Sequence, residues 1–282
     1  MIKGLKLQKN SQPLSRNIKV AIAVVVLLLL VAGGVTVWYF YAYKPAQVKE
    51  DVRRREEQQL ANDIKTVEKY YLKSLTGGSI TQFTKLASEI SKSQNILAEF
   101  NYTNETFVCD PQNCSFSYQL NKGNVFNIAQ KNFWGENYTA IFSDDAVNFS
   151  GIQSGLSDNP LLSAYKNKAD ITAPFCGDLL NYLYSYNSIS GIQQTLKIVS
   201  LPGSPVQTNE NKIAKKGRGK YYGLNTMNWE MEIPKTSKNG IDVLYVASIL
   251  ERQAFGDAFI IQKIDSVKDN KISGVMVCKI GN

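Results

Sequence analysis

Residues 20–43 read VAIAVVVLLLLVAGGVTVWYFYAY, a stretch of 24 residues without a charged side chain. As an α-helix with a rise of about 1.5 Å per residue, this stretch would be roughly 36 Å long, which exceeds the ~30 Å hydrocarbon core of a bilayer. Its last residues include Trp38, Tyr39, Phe40 and Tyr41, and aromatic rings favour the membrane–water interface. The stretch therefore predicts a single transmembrane helix over 20–43.

A cleaved signal peptide is the alternative interpretation of this stretch. The apolar region of a signal peptide has only about 7–15 residues and precedes a cleavage site of small residues. The stretch in this chain is longer and is followed by Lys44-Pro45. We therefore expect the helix to be retained, with a basic tail at residues 1–19 before it.

The placement of charges and cysteines predicts the orientation of this helix. The tail has five basic residues and no acidic one, which favours the cytoplasmic side, although five more basic residues lie between 44 and 55. The four cysteines, Cys109, Cys114, Cys176 and Cys278, all follow the helix, and disulfides persist in oxidising compartments such as the periplasm. We expect a single-pass inner-membrane protein with a cytoplasmic N-terminus and a periplasmic C-terminal region.

The composition argues against several classes of function. The net charge is +8, of which the tail provides +5, so residues 20–282 carry only +3 and nucleic-acid binding is not expected. The chain has no histidine, which excludes Ser-His-Asp and Cys-His catalysis and histidine-ligated metals. Structural zinc sites usually combine two short cysteine spacings, and only Cys109 and Cys114 are close. We expect no cofactor, no metal ion and no enzymatic activity.

Residues 44–99 predict a helical stalk after the membrane helix. Within 46–75, apolar residues recur at spacings of three and four, as on one face of an amphipathic helix. The residues of this face that are candidates for partner contact are Leu60, Ile64, Val67 and Tyr71. Two interpretations remain open: the face forms a coiled coil with a partner, or it packs on the protein's own domain. Gly77-Gly78 ends the helix, and Ser79 can cap a second helix that extends to about Phe100.

Residues 100–282 predict a periplasmic α+β domain. Residues 107–120 read as two short strands around a turn, and Cys109 and Cys114, which flank the turn, can close a local disulfide. The segment 124–152 is expected to be rich in strands, 173–186 to be a helix and 194–201 a strand. The polar, basic segment 201–220 is a connector at which the domain can be subdivided.

The C-terminal sixty residues have the clearest pattern. They predict a strand over 228–233, a helix over 241–255 and strands over 258–264 and 271–280. This β-α-β-β order is half of a ferredoxin-like fold. Cys278 lies in the last predicted strand, and we favour its pairing with Cys176 over the other combinations.

Two short motifs in the domain resemble functional signatures. Ser163-Ala-Tyr-Lys166 and Ser157-Asp-Asn159 match parts of the penicillin-recognising serine enzymes, but their order is wrong and they are too close in sequence to form opposite walls of a pocket. Residues 215–220, KKGRGK, lack the spacing of a phosphate-binding loop. We interpret them as a solvated loop, with contact to a membrane surface or a partner as the alternative.

The order of these elements resembles the PilO-like bitopic proteins of type IV pilus assembly and their type II secretion counterparts. This chain and the PilO-like proteins share the order of a short basic tail, one membrane span, a helical stalk and a domain that ends β-α-β-β. The most detailed part of the resemblance lies in residues 228–280. The cysteines and the strand-rich segment from about 100 to 160 depart from a minimal PilO-like domain. These departures suggest a divergent, type IVb-like member.

The resemblance implies a scaffold without catalysis, which would link a cytoplasmic motor and platform to periplasmic and outer-membrane parts. The implied partners are another single-span assembly protein or a second copy of this chain, a polytopic platform protein and a cytoplasmic ATPase complex. A single-pass receptor with an extracytoplasmic ligand-binding domain is the alternative. An extracytoplasmic enzyme is the third possibility, and it would need converging carboxylates or a free reactive cysteine.

Overall fold

The computed structural model describes residues 16–100, 102–123, 128–189, 194–236 and 240–281. The chain divides into two compact units, Met1–Ala61 and Asn62–Asn282. Residues 1–15, most of the predicted basic tail, lie outside the described residues.

The first unit contains helix α1 (Arg16–Trp38), a π-helical turn (Tyr39–Tyr43) and the beginning of helix α2 (Lys44–Leu75). No side chain of α1 is buried, and the segment Arg16–Tyr41, with a mean hydropathy of 2.9, is long and apolar enough to cross a membrane. The beginning of α2 is charged and has ion pairs between successive turns, such as Arg54 with Glu50 at 2.8 Å. Such pairs support a solvent-exposed helix.

The second unit contains the end of α2 and the rest of the chain. Its further helices are α3 (Ile80–Glu99), α4 (Pro160–Lys166), α5 (Cys176–Ser188), α6 (Gln207–Lys215) and α7 (Val243–Glu251). Its strands are β1 (Tyr102–Cys109), β2 (Asn113–Leu120), β3 (Gln130–Phe133), β4 (Glu136–Thr139), β5 (Ile141–Ser143), β6 (Ala146–Gln153), β7 (Lys197–Ile198), β8 (Leu224–Glu232), β9 (Lys235–Thr236), β10 (Gly240–Ile241), β11 (Phe259–Asp265) and β12 (Lys271–Lys279). The described fold is α+β.

An eight-stranded antiparallel sheet forms the centre of this unit, in the order β5-β6-β2-β1-β11-β12-β8-β7. The hairpin β1-β2 joins the C-terminal strands through β1 and β11, in the register Val108↔Asp265. Strand β12 lies between β8 and β11 and is antiparallel to both. The strands β3-β4 and β9-β10 form separate two-stranded ribbons.

Helix α3 packs against α7 and against strands β1 and β11. Phe83, Leu86 and Ile90 of α3 are fully buried, at the spacing of one helix face. The helix begins with a capping box, in which the Ser79 backbone N–H donates to the Gln82 side chain at 2.9 Å and the Gln82 backbone N–H donates to Ser79 Oγ at 3.3 Å. These reciprocal bonds satisfy backbone donors that the first turn leaves unpaired.

The link between α2 and α3 runs directly against the sheet. Gly78 and Ile261 exchange two backbone hydrogen bonds of 2.8 Å. Gly77 has a φ of 151°, and a Cβ at this position would lie 2.5 Å from the Ile261 carbonyl oxygen. Only glycine fits this approach, so Gly77 fixes where α2 ends relative to β11.

Two disulfides close the second unit. Cys109–Cys114 bridges the β1-β2 hairpin, and Cys176–Cys278 joins the first residue of α5 to β12. These are the two pairs that the sequence analysis favours. None of the four cysteines is free.

Several segments differ from the sequence-based predictions. The predicted stalk 44–99 is divided, because residues 62–99 belong to the second unit. The predicted connector 201–220 contains helix α6, and the sheet is continuous across it because β7 pairs with β8. The predicted strand 194–201 is reduced to Lys197–Ile198. Helix α4 is a feature that the sequence analysis did not predict.

Candidate functional site

A groove of about 410 Å³ opens in the second unit between the end of α2, the end of α4, helix α6 and the segment before β8. This volume is within the range of about 300–1,000 Å³ that is typical of ligand pockets. We call it the α2 groove. Its lining residues are Ile64, Val67, Glu68, Leu72, Tyr165, Lys166, Lys168, Glu210, Ile213, Arg218, Gly219, Lys220 and Tyr222.

One buried asparagine positions α4 against the end of α2. The Asn159 side chain accepts from the Leu162 backbone N–H at 2.9 Å and so caps α4. Its amide donates to the carbonyl oxygens of Leu75 at 2.6 Å and Gly77 at 2.9 Å. The Asn159 of the Ser-Asp-Asn motif therefore has a structural role, and it places Tyr165 of α4 beside α2.

A buried carboxylate connects α2, α6 and the segment before β8. The fully buried Tyr71 donates its hydroxyl to Glu210 Oε2 at 2.9 Å. The backbone N–H groups of Tyr222 and Gly223 donate to Glu210 at 2.6 and 3.3 Å. Burial raises the pKa of the Glu210 carboxyl, and burial together with the Glu210 charge raises the pKa of the Tyr71 hydroxyl well above its usual range. Tyr71 therefore stays protonated and donates at neutral pH.

Tyr165 and Tyr222 form one wall of the groove, the tyrosine wall, and pack on the buried Tyr71 of α2. The ring centroid of Tyr71 lies 5.0 Å from that of Tyr165 and 6.0 Å from that of Tyr222. The ring centroids of Tyr165 and Tyr222 are 5.3 Å apart. These distances are those of favourable aromatic pairs. Tyr71 lies behind the other two, which are half-buried and line the groove. Burial, with a smaller effect of the Glu68 charge, raises the pKa of Tyr165 to about 12, so the wall is uncharged.

Helices α4 and α6 end at the groove with the same type of cap. In each, the residue after the C-cap adopts a left-handed conformation, with φ of 53° for Lys168 and 66° for Gly217. The bonds that define the two caps are Lys168 N–H to Tyr165 O at 3.0 Å, Ala169 N–H to Ala164 O at 2.9 Å, Gly217 N–H to Ala214 O at 2.9 Å and Arg218 N–H to Ile213 O at 3.1 Å. This is the Schellman motif, and it brings Lys168 and Arg218 to the groove.

Lys168 occupies a position where glycine is the usual residue. A left-handed conformation costs an L-residue roughly 1–2 kcal/mol, and glycine avoids this cost at Gly217 in the equivalent cap of α6. The Lys168 side chain therefore lies at the groove although the backbone of this residue is strained.

Four basic side chains surround the groove, and they differ in their partners. Lys220 binds Asp170 at 2.5 Å and lies 5.5 Å from the centre of the Tyr222 ring. Lys166 is 3.7 Å from the exposed Asp158. Within the described part of the chain, Lys168 and Arg218 form no ion pair. The groove thus presents two unpaired cations beside a tyrosine wall.

The predicted partner-contact residues have different environments in the structure. Tyr71 is fully buried and Val67 is 8% exposed, so both pack on the protein's own domain, as in the second of the two interpretations above. Ile64 is half-buried and lines the groove. Leu60 is half-buried and lies in the first unit. The accessible residues of the predicted face are therefore Leu60 and Ile64, and Leu72, which is outside the predicted face, is also exposed beside the groove.

Three groove residues, Arg218, Gly219 and Lys220, belong to the segment 215–220, for which the sequence analysis gives contact with a membrane surface or a partner as the alternative to a solvated loop. Lys166 belongs to the Ser163–Lys166 motif, and the remaining groove residues on α4, α6 and the segment before β8 are not among the predicted site residues. Asn159-Pro160 before an apolar pair is a helix-start signal and could have predicted α4. Gly217 after a run of lysines is a helix-end signal and could have predicted α6. Neither signal shows that the two helix ends meet beside α2, because that contact depends on tertiary packing.

A second cluster of charged and aromatic residues lies between α3, β1, β2 and β3. The Lys131 ammonium donates to Ser93 Oγ and to the Tyr118 hydroxyl. It lies 4.9, 4.7 and 5.2 Å from the ring centres of Phe116, Tyr118 and Phe133, within the range of cation–π contact. We call these residues, together with Glu105, the Lys131 cluster.

Glu105 is the buried counter-charge of this cluster. It is 6% exposed and lies within an irregularity in the β1-β2 register between Thr103 and Thr106; such bulges redirect side chains. Burial raises the pKa of the Glu105 carboxyl to about 7, against the opposing effect of Lys131. Burial likewise lowers the pKa of Lys131 to about 8. We call the cluster closed because its half-buried cation is already bonded to the protein's own side chains.

Comparisons with known proteins return no relative. No protein family, no curated protein and no solved structure matches the chain significantly. Among the described residues, no group of three or more histidine, cysteine, aspartate or glutamate side chains could hold a metal ion. The function must therefore be argued from the α2 groove and from the order of the elements.

Proposed function

We propose that this protein is a membrane-anchored scaffold without catalytic activity, similar to the PilO-like components of type IV pilus or type II secretion machines. The observation that carries the proposal is that α2, the helix that follows the apolar segment, ends as one wall of an open groove. Ile64 and Leu72 remain accessible there. A helix with an accessible apolar face beside a groove is a common form of protein–protein docking site.

The order of the C-terminal strands supports the resemblance. In β8-α7-β11-β12, the last strand lies between the first two and is antiparallel to both. Half of a ferredoxin-like sheet has this arrangement, and the PilO-like resemblance implies such a unit. Fold-level analogy of this kind supports a function only indirectly.

The chemistry of the groove supports a role without catalysis. The chain has no histidine, and the Glu210 carboxylate already accepts three hydrogen bonds from the protein itself. A carboxylate held in this way is positioned to support the groove wall, whereas a general base needs a free oxygen within reach of a substrate proton.

In this proposal the N-terminal tail lies in the cytoplasm, α1 crosses the inner membrane and the second unit lies in the periplasm. The partners are another single-span protein or a second copy of this chain, a polytopic platform protein and a cytoplasmic ATPase complex. The apolar helix is compatible with this placement by its length and composition.

The test is crosslinking of the full-length protein in native membranes, followed by affinity purification and mass spectrometry. The expected result is recovery of a single-span protein, a polytopic protein and an ATPase. The double variant Leu60→Asp/Ile64→Asp should reduce this recovery, whereas the control Gln59→Asp/Thr66→Asp, at two exposed positions of the same helix, should not. Recovery of no membrane partner at all would overturn the proposal.

A single-pass receptor is the second candidate, and the volume of the α2 groove favours it, since about 410 Å³ can hold a small molecule. Native mass spectrometry of the purified full-length protein distinguishes the two. A retained small molecule, without co-purified membrane proteins, would favour the receptor.

A further inference from the structure

We propose that the α2 groove binds an acidic peptide segment of a partner protein and buries one aromatic side chain of that segment between α2 and the tyrosine wall. This inference rests on the proposed scaffold function, because it names the chemistry of the partner at the docking site. It commits to a protein segment, and other occupants are outcomes of the test.

The unpaired cations define the charge of the occupant. The lining contains Lys166, Lys168, Arg218 and Lys220 but only the carboxylates of Glu68 and Glu210, and Glu210 accepts hydrogen bonds from the protein itself. Arg218 and Lys168 have no acidic partner among the described ion pairs. Guanidinium and ammonium groups at the rim of an apolar site favour carboxylates of a partner.

The two paired cations are also available to an incoming carboxylate. Asp170 and Asp158, which pair with Lys220 and Lys166, are strongly exposed, with side-chain exposures of 95% and 75%. Exposed ion pairs contribute little stability, so a carboxylate of a partner can replace these aspartates.

The inner surface of the groove defines the anchoring side chain. Ile64, Val67, Leu72 and Ile213 provide apolar contacts from α2 and α6, and the rings of Tyr165 and Tyr222 add aromatic surface to the same lining. Such a mixed apolar and aromatic lining favours an aromatic side chain. Large aromatic residues in partly closed pockets, surrounded by polar rims, dominate the energetics of many interfaces.

The geometry of the helix caps explains how the site is held open. Lys168 is itself the left-handed residue of its cap, and Arg218 follows the left-handed Gly217. The backbone N–H groups of Lys168 and Arg218 are bonded within these caps. Asn159 and Glu210 fix α4 and α6 to α2. Because none of these bonds uses the side chain of Lys168 or Arg218, the charges of these two residues can be changed without removing the bonds.

The experiment uses the full-length protein in nanodiscs of zwitterionic lipid. The probe is a fluorescently labelled synthetic peptide in which one tryptophan is flanked by glutamate and aspartate residues. Two matched peptides replace either the tryptophan by alanine or the acidic residues by lysine. We expect the acidic tryptophan peptide to bind, with a loss of about tenfold or more in affinity when the tryptophan is replaced.

The protein variants test whether the binding occurs in the groove. The double variant Lys168→Gly/Arg218→Gln should weaken binding of the acidic tryptophan peptide by about three- to tenfold at low salt, and the loss should shrink as salt is added. The matched control Lys215→Gln/Lys216→Gln removes two exposed charges from the end of α6 outside the groove lining. This control should change the affinity by less than about twofold.

Four results would overturn the inference. They are no binding of the acidic tryptophan peptide, equal binding of the lysine peptide, equal weakening by the control variant, and full displacement of the peptide by N-acetyltryptophan amide or by anionic lipid vesicles. The last result would assign the groove to a small molecule or a membrane surface. Because the peptide assay needs no native partner, its failure is distinct from a failure to recover partners from native membranes.

Discussion

The second unit combines lysine and tyrosine side chains in two places, with opposite consequences. In the Lys131 cluster, one half-buried lysine donates to Ser93 and Tyr118 and lies against three aromatic rings, one of which is that of Tyr118, and Glu105 is buried as its counter-charge. In the α2 groove, Lys168 and Arg218 lie beside Tyr165 and Tyr222, and no acidic residue among those that the structure describes forms an ion pair with them. The comparison shows that residue type alone does not identify a binding site.

What differs is where the compensating charge comes from. The low effective dielectric of the interior makes a buried lysine costly unless the protein itself supplies an acid and hydrogen-bond acceptors. At the groove, water supplies the compensation until a ligand replaces it. The charges of the closed cluster therefore already have partners within the protein, whereas the open groove is available for binding.

The largest expected effect is on the closed cluster. Lys131→Met leaves Glu105 buried without its counter-charge and should lower the free energy of unfolding by about 3–5 kcal/mol. Urea denaturation of the full-length protein, followed by circular dichroism, measures this change. The control Lys166→Met removes an exposed lysine from α4 and should change stability by less than about 0.5 kcal/mol. Equal effects of the two substitutions would contradict the distinction between the sites.

A smaller effect is expected from the bond that supports the groove wall. Tyr71→Phe removes the hydroxyl donor from the buried Glu210 carboxylate and should cost about 1–3 kcal/mol of unfolding free energy. Tyr184 is 58% exposed, so Tyr184→Phe is the control and should have little effect. If Tyr71→Phe were neutral in the same denaturation assay, Glu210 would not connect α2 to α6 as described.

The pH dependence of stability sharpens the comparison further. The pKa of Glu105 is raised from 4.5 to about 7, so its contribution to stability is present below about pH 4.5 and is lost as pH rises through about 7. The pKa of Lys131 is lowered from 10.5 to about 8, so its contribution is present above about pH 10.5 and is lost as pH falls through about 8.

The stability of the wild type, measured relative to the double variant Glu105→Gln/Lys131→Met, should therefore be lowest between about pH 7 and 8. It should increase on both sides of this window. Denaturation midpoints measured from pH 5 to 9.5 test this expectation, and a maximum near pH 7.5 would contradict it.

The smallest expected effect is at the groove rim. Lys168→Gly relieves the left-handed strain but adds freedom to the unfolded chain, so it should stabilise the protein by up to about 1 kcal/mol. Lys166→Gly lies within α4 and should instead destabilise it by about 1 kcal/mol. Thermal denaturation of each variant measures its change in stability relative to the wild type. Destabilisation by Lys168→Gly would show that the lysine side chain contributes to folding and would contradict the expectation.

Part of the fold follows from local sequence patterns. The apolar run around Val20–Tyr43 and the spacing of Phe83, Leu86 and Ile90 predict the helices that the structure has, because each pattern reflects one periodicity. The hairpin around Asp110-Pro111 was also predictable, since turn residues and strand patterns are local. The helix α7 and the strands β8, β11 and β12 were predicted in their order, but the ribbon β9-β10 between β8 and α7 was not. Helix boundaries differ by several residues, for example α7 at Val243–Glu251 against the predicted 241–255.

The α2 groove was not predictable in the same way. Tyr165 and Tyr222 are 57 positions apart in the sequence but 5.3 Å apart at their ring centres, and no local pattern joins them. Tyr71 could be assigned to a helix face, but its packing on the protein's own domain rather than on a partner depends on Glu210, far along the chain.

The sequence by itself determined the apolar helix, the amphipathic helices, the strand-forming segments and the residues that can cap them, because these depend on composition, periodicity and turn chemistry within a few residues. The tertiary structure decided the sheet order, the partners of the buried charges and the meeting of α2, α4 and α6 at the groove. These depend on contacts between segments that are distant in sequence, and only the packing of the whole domain determines which charges are enclosed and which remain open to a ligand.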